Sequence, residues 1–286
     1  MAVYEHAYVP YEGALAPSWS RWLVVPRNAF SELFRSKLVT AYFAVCFVYP
    51  LVAMILVYLH HNANALAIFA LPLGDLIPID NRFFRVYLSV QCNFAFILTM
   101  FVGPTLVSSD LANNALPLYL SRPFSRTEYV AGKVTVIAAL LSAVTWIPGL
   151  LIFVLQAYLE GWSWMVSNLW IAWALFAGSV VWIVVLSLAV LAISALVRWA
   201  LIARGALFGA LIVPSAFAGI VNAAFGTTWG NLISPVALLS SLLAQLFRTS
   251  HGGEIPVVAA TIMLAAICGL CLLILARKVR AYEVIR

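Results

Sequence analysis

Four cysteines and four histidines are the side chains of this 286-residue chain best suited to hold a metal ion or to carry a redox reaction. Cys268 and Cys271 form a C-x-x-C pair, but the pair lies within an apolar run, where cysteine usually behaves as a small apolar side chain. The histidines all lie outside the apolar runs, so none is placed to ligate a haem iron inside a membrane. We therefore expect neither a metal site nor a cofactor in this chain.

Two glycine-containing pairs resemble fragments of catalytic or phosphate-binding motifs. Gly178-Ser179 has no histidine or lysine near it in the same apolar run, so it predicts helix packing rather than a membrane serine protease. Gly132-Lys133 is followed by valine and lacks the upstream glycine of G-x-x-x-x-G-K-[ST], so the chain should not bind a nucleotide through a P-loop. No enzymatic activity is expected in this chain, and any ATP that drives it must be hydrolysed by another subunit.

The composition of the chain indicates a membrane protein. Hydrophobic residues make up 65% of it and charged residues 9%, whereas soluble domains carry about 25% charged residues. The net charge of +6 does not predict a nucleic-acid partner, because the basic residues lie at the ends of apolar runs rather than on one surface. We expect an all-α, polytopic membrane protein, since helices satisfy their own backbone in lipid.

The apolar runs predict six transmembrane helices, since a helix needs about 20 apolar residues to cross the hydrocarbon core. The predicted spans cover residues 39–59, 83–107, 133–156, 169–196, 201–224 and 256–276. Pro148 and Gly149 predict a kink in the third span. Residues 1–17 show no periodicity and predict a flexible N-terminus.

Residues 18–38 predict an amphipathic helix in the membrane interface. Phe30 and Phe34 fall on one helical face, whereas Arg27 and Arg35 supply cationic side chains. A soluble amphipathic helix is the alternative, but the segment leads directly into the first span, which favours the interface.

Residues 231–247 predict a short helix on the outer side of the membrane. Ser234 suits the N-cap and Pro235 suits the first turn. A helix over residues 235–247 would be about 20 Å long, too short to span the bilayer. An outer interfacial or re-entrant helix is therefore expected rather than a seventh span.

The basic residues predict the orientation of the chain. Six spans place both termini on one side, and if that side is the cytoplasm, only Arg82, Arg85 and Arg248 of the 16 Lys and Arg residues fall on the other. This asymmetry follows the positive-inside rule. We expect a multi-pass protein of the inner (plasma) membrane with both termini in the cytoplasm.

Residues 108–132 form a polar, basic segment on the predicted cytoplasmic side, between the second and third spans. Asp110 suits the N-terminus of a short helix, because it complements the helix dipole. Leu111, Ala115 and Leu118 would share one face of that helix. A solvated loop is the alternative, since its basic residues would also obey the positive-inside rule.

Part of this segment, LPLYLSRPFSRTEYVAGK (residues 116–133), resembles the signature of ABC-2 type permeases, the membrane subunits of ATP-binding cassette exporters. The resemblance rests on the turn at Arg122-Pro123, on the ending Tyr129, Gly132 and Lys133, and on the order of the predicted helices.

The resemblance implies a separate ATPase subunit, which would bind the ATP and Mg²⁺, and a second permease copy or paralogue, all held in membrane lipid. The ATPase would contact a coupling region, residues 108–132, together with the interfacial helix. The implied coupling residues are Asp110, Leu111, Ala115, Leu118, Arg122, Arg126 and Lys133, and those of the interfacial helix are Arg27, Phe30, Phe34 and Arg35.

Two functions remain open from the sequence. The first is the permease subunit of an ATP-binding cassette exporter, and the second is a membrane anchor or assembly subunit that transports nothing. Ion-coupled transport is disfavoured because no acidic residue lies near the middle of a predicted span. The same uncharged interior favours an apolar or amphipathic cargo.

Overall fold

The computed structural model describes residues 24–62, 78–112, 126–197, 199–249 and 255–278, and within these ranges the chain forms helices and no β-strand. The all-α prediction is confirmed, while the predicted flexible segment 1–17 lies outside the described residues. The helices are α1 (Val24–Leu33), α2 (Lys37–Val45), α3 (Val48–His61), α4 (Asn81–Ala112), α5 (Arg126–Val144), α6 (Trp146–Glu160), α7 (Trp162–Leu196), α8 (Ala200–Phe225), α9 (Pro235–Leu246) and α10 (Val257–Lys278), with a 3-10 helix (Trp229–Ile233) before α9.

Among the described residues, six stretches are long and apolar enough to cross a membrane, as the sequence predicts. The first combines α2 with α3 and the third combines α5 with α6, whereas the other four are single helices. They are Lys37–His61, Asn81–Leu106, Glu128–Glu160, Trp162–Leu196, Ala200–Phe225 and Val257–Lys278.

Helix α7 is the centre of the bundle. It contacts α4, α5, α6, α8, α9 and α10, and 61% of its most apolar stretch is buried, against 17% for α8 and for α10. Gly178 permits one of these close contacts, because a Cβ atom there would lie 2.5 Å from Leu243 Cδ2 of α9. Helices α8 and α10 keep broad apolar faces exposed for lipid or for another protein.

Two of the spans are broken, and each break lies one turn before a proline. Pro50 follows the break between α2 and α3, and Pro148 follows the break between α5 and α6. A proline has no N–H, and its ring collides with the carbonyl four residues earlier. The carbonyls of Cys46 and Val144 therefore lose their helical donors. The kink expected at Pro148 takes the form of a helix break at Thr145.

The side-chain amide of Gln91 in α4 bonds to both of these carbonyls. Its Nε2 donates to Cys46 O over 2.8 Å and to Val144 O over 2.7 Å, and the residue is 0% exposed. Because both partners are carbonyl oxygens, only the NH₂ group of the amide can face them. One side chain thus satisfies backbone oxygens in two neighbouring spans, which water could not reach inside a bilayer.

The same turn of α4 is tied to other helices. Trp182 Nε1 of α7 donates to Cys92 O over 3.0 Å, and Tyr42 OH of α2 donates to Phe94 O over 3.4 Å. Residues 91–94, hereafter the Gln91 turn, therefore fix α4 against the first, third and fourth spans.

The N-terminal helix ends before the predicted segment 18–38 does, and residues 18–23 of that segment lie outside the described residues. It ends at Leu33, and Ser36 in extended conformation (φ −77°, ψ 113°) separates it from α2. Its buried face includes Pro26, Ala29 and Leu33, and the helix lies against α5. Phe34 is 41% exposed, because it follows the end of the helix instead of continuing its apolar face.

The chain after α8 turns back along that helix into the bundle. Gly230 N donates to Asn222 Oδ1 over 2.9 Å, and the hydroxyls of Ser215 and Ser234 lie 2.7 Å apart. Ser215 precedes Asn222 by about two turns of α8, or roughly 10 Å along its axis. These side chains supply hydrogen bonds to the segment between α8 and α9, whose short 3-10 helix leaves backbone groups that need partners.

Helix α9 then returns towards the start of α4. Its N-cap is Ser234, whose Oγ accepts a hydrogen bond from Ala237 N over 3.2 Å, and beyond its last turn Asn81 Nδ2 donates to Phe247 O over 2.7 Å. Most of α9 is buried among α7, α8 and α10. The chain from Trp229 to Leu246 thus re-enters the bundle, and in this sense we call it re-entrant; its position on the outer side of the membrane stays a prediction.

We expect Gln91→Leu to destabilise the protein by about 1–3 kcal/mol, because it removes two interhelical hydrogen bonds worth about 0.6–1.7 kcal/mol each in a membrane protein. Pro50→Ala with Pro148→Ala returns helical donors to the freed carbonyls, so Gln91→Leu should cost much less in that background. Unfolding in mixed detergent, followed by tryptophan fluorescence, measures both losses.

The matched control is Asn93→Leu. In the wild-type chain the Asn93 amide donates to Ser89 O over 2.8 Å, so its hydrogen bond stays within α4. Its effect should be the same with and without the two prolines. An equal loss for Gln91→Leu in both backgrounds would contradict the role given to the prolines.

Candidate functional site

A cavity of about 650 Å³ lies between α4, α7, α8 and α9, next to the Gln91 turn. Its walls are mostly apolar, and the largest side chains that face it are Phe96, Met100, Trp182 and Phe208. Among the described residues that line it, none is charged. A concave, largely apolar pocket of this size with a few polar groups is typical of a small-molecule site.

The hydroxyl and amide groups of the cavity belong to Ser89, Asn93, Ser215 and Ser240, in addition to the indole of Trp182. The Asn93 amide donates to Ser89 O over 2.8 Å, and the Ser215 hydroxyl donates to Leu211 O over 2.7 Å. Much of the donor capacity is therefore used within the helices themselves. The cavity suits an uncharged molecule that is apolar or weakly amphipathic.

Helix α4 joins this cavity to the predicted coupling region without interruption. It has 32 residues, which corresponds to about 48 Å. Six of its residues between Ser89 and Met100 line the cavity, and its last turn carries Asp110 and Leu111. The prediction that Asp110 begins a separate short helix is therefore wrong, because α4 continues to Ala112. A force applied at that last turn would therefore reach the cavity wall through a single helix, which contains Pro104 between the two.

Lys133 lies inside the protein. It is 6% exposed, and its Nζ lies 5.6 Å from the centre of the Tyr129 ring. A smaller cavity, of about 230 Å³, brings Lys133 together with Arg204 of α8 and with Leu33 of α1. The structure thus brings the predicted coupling lysine and the N-terminal helix together around one cavity.

The other predicted site residues are distributed as follows. On α1 and just after it, Arg27, Phe34 and Arg35 are exposed, and Phe30 is half-buried. Arg126 is the first residue of α5. Three predicted coupling residues lie in the segment 113–125, outside the described residues, so the short helix predicted there stays a prediction: Ala115, Leu118 and Arg122.

Sequence reasoning missed Gln91 and Asn222, the two amides that hold the broken spans and the re-entrant segment. A signal for Gln91 is present, because an amide in an apolar run predicts a buried partner, and Pro50 and Pro148 each predict a carbonyl without a donor. The sequence does not show which spans are neighbours, so it does not connect these features.

Comparison with protein-family models and with curated proteins finds no match to this chain.

The re-entrant path brings Ser234 next to Ser215, and their hydroxyls lie 2.7 Å apart. We therefore expect a disulfide to form in the double variant Ser215→Cys with Ser234→Cys. The pair is introduced into a chain whose four native cysteines are replaced by alanine. Mild oxidation followed by peptide mass spectrometry should find the linked peptides.

A control pair combines Ser215→Cys with Ser167→Cys, which is exposed on the second turn of α7 and should stay unlinked. Equal yields for the two pairs, or no link in the first, would contradict the re-entrant placement.

Proposed function

We propose that the chain is the permease subunit of an ATP-binding cassette transporter of the exporter type, which moves substrate with ATP hydrolysed by a separate subunit. The observation that supports this most strongly is the continuity of α4 from the cavity to the predicted coupling region. A partner that moves the end of this helix would act on the cavity wall through one continuous helix. An anchor subunit would have no need of that arrangement.

The substrate in this proposal is an uncharged apolar or amphipathic small molecule, bound in the cavity between α4, α7, α8 and α9. Phe96, Trp182 and Phe208 provide apolar and aromatic surface, while Asn93 and Ser240 provide a few polar contacts. A charged substrate is disfavoured, because the described residues of the cavity offer it no counter-charge and a desolvated charge is costly.

The ATPase subunit would dock below the end of α4 and the N-terminal helix α1, and would hold the ATP and Mg²⁺ itself. Helix α1 packs against α5, and Ala29 and Leu33 are among its buried residues. A displacement of α1 would therefore also reach α5, and a displacement of α4 would reach the cavity. In this proposal the exposed Arg27 and Arg35 face the partner or the lipid headgroups.

A second permease copy or paralogue would complete the transporter. The exposed apolar face of α8, with Phe208, Ile212 and Phe217, borders the cavity and is available for that contact. The protein would lie in the plasma membrane with both termini in the cytoplasm, so that the basic end of the bundle faces the ATPase.

We expect an ATPase subunit to co-purify with the wild-type chain from native membranes, and to be lost when Leu111, Ala115 and Leu118 are all replaced by glutamate. The reason is that three buried charges would oppose an apolar docking face. Quantitative mass spectrometry of the purified complex measures the ratio of the two chains.

The control variant is Ala276→Glu, which adds a charge at an exposed position near the end of α10. It should retain the ATPase. Full retention by the triple variant would remove the coupling assignment, and the absence of any ATPase from the wild type would favour an anchor subunit.

A further inference from the structure

The smaller cavity, of about 230 Å³, lies where α1, α2, α4, α5 and α8 meet. Its polar lining consists of Glu32, Ser36, Thr105, Lys133 and Arg204, contributed by α1, by the α1–α2 break, and by α4, α5 and α8. Two cations and one carboxylate give this lining a net charge of about +1 at neutral pH. The lining therefore complements a ligand with a single negative charge.

Lys133 is buried, whereas Arg204 is half-buried with its Nε withdrawn from water. Lys133 is 6% exposed, and the Nε of Arg204 is buried without a hydrogen-bond partner among the described residues. A buried charged donor that makes no hydrogen bond is costly. An anion in the cavity would provide the missing partner, and a guanidinium fork is well matched to phosphate oxygens.

The start of α2 adds to this electrostatic preference. Ser36 is its N-cap residue, but the Ser36 side chain makes no capping hydrogen bond to the first turn. Ser36, Leu38 and Val39 all line the cavity, so the positive end of the α2 dipole lies beside Lys133 and Arg204. Anions bind readily at helix N-termini for this reason.

The remaining wall of the cavity is apolar. Leu38, Val39 and Phe101 line it, and Leu38 is 74% exposed. A free phosphate ion would make no favourable contact with this apolar surface. A lipid would, because its phosphate is attached to glycerol and acyl carbons. The volume is several times the roughly 30 Å³ share of one water molecule, so it holds more than a single small ion.

We propose that this cavity binds a phosphate diester, supplied by the headgroup of an anionic membrane lipid. Arg204 and Lys133 hold the phosphate oxygens, the N-terminus of α2 faces them, and the apolar wall accepts the start of an acyl chain. The bound lipid joins α1 to α4, α5 and α8. This site is separate from the substrate cavity and does not depend on the proposed transport function.

The test uses the full chain, purified in an uncharged detergent and stripped of lipid. It is titrated with dihexanoyl phosphatidylglycerol, with dihexanoyl phosphatidylcholine or with inorganic phosphate, and thermal unfolding is followed by tryptophan fluorescence. Phosphatidylglycerol should raise the unfolding midpoint at the lowest concentration. Equal protection by phosphatidylcholine would overturn the anion site, and equal protection by inorganic phosphate would overturn the lipid as its source.

Two variants locate the site. Arg204→Gln should weaken phosphatidylglycerol binding by about tenfold or more, as expected for the loss of a charge-assisted hydrogen bond. Arg277→Gln removes the same charge from an exposed position at the end of α10 and should leave the affinity unchanged. Equal losses in these two variants would overturn the assignment, because they would indicate general attraction to basic residues.

The variant Glu32→Gln should bind phosphatidylglycerol more tightly, and a misfolded protein would not show such a gain in affinity. Glu32 is exposed and is the carboxylate of the cavity lining, so its neutralisation should tighten phosphatidylglycerol binding. An unchanged or weaker affinity in this variant would contradict the proposed site, even if Arg204→Gln proved too unstable to measure.

Discussion

The packing of the bundle depends on one amide, that of Gln91, which donates hydrogen bonds to two backbone carbonyls. These carbonyls, of Cys46 and Val144, have no helical donor because a proline lies four residues after each. Gln91 reaches both because the breaks before Pro50 and Pro148 face the same turn of α4. In hydrocarbon no water can replace such a donor. The spans that contain the breaks must therefore lie beside α4, and the indole of Trp182 holds α7 against the next residue of that turn.

This constraint also shapes the candidate site. Cys92 and Trp182, which form the bond between α4 and α7, both line the larger cavity, so its wall is built on the most strongly fixed part of α4. The opposite wall is α9, which Ser234 and the bond between Asn81 and Phe247 hold at its two ends. One wall is thus continuous with the predicted coupling region, and the other is a short re-entrant helix packed inside the bundle.

Local composition is enough to predict part of this structure. Apolar run length predicts the six spans, and Ser234 with Pro235 predicts the start of α9. Features that depend on which helices are neighbours are not predictable in this way. The burial of Lys133, the re-entrant path of residues 231–247 and the double role of Gln91 each depend on residues distant in the chain, such as Leu33, Ser215 or Val144. The end of α1 at Leu33 was missed for a different reason, because an apolar stripe can continue through a helix break.

The central claim is that events at the end of α4 change the cavity. Spin labels at Phe208→Cys on α8 and Ser240→Cys on α9 report the cavity width, since both positions line it and are exposed. Their distance distribution would be measured by double electron–electron resonance in the complex with the proposed ATPase subunit, with and without ATP. The account predicts that ATP binding shifts this distribution. An unchanged distribution in a complex that retains an active ATPase would contradict it.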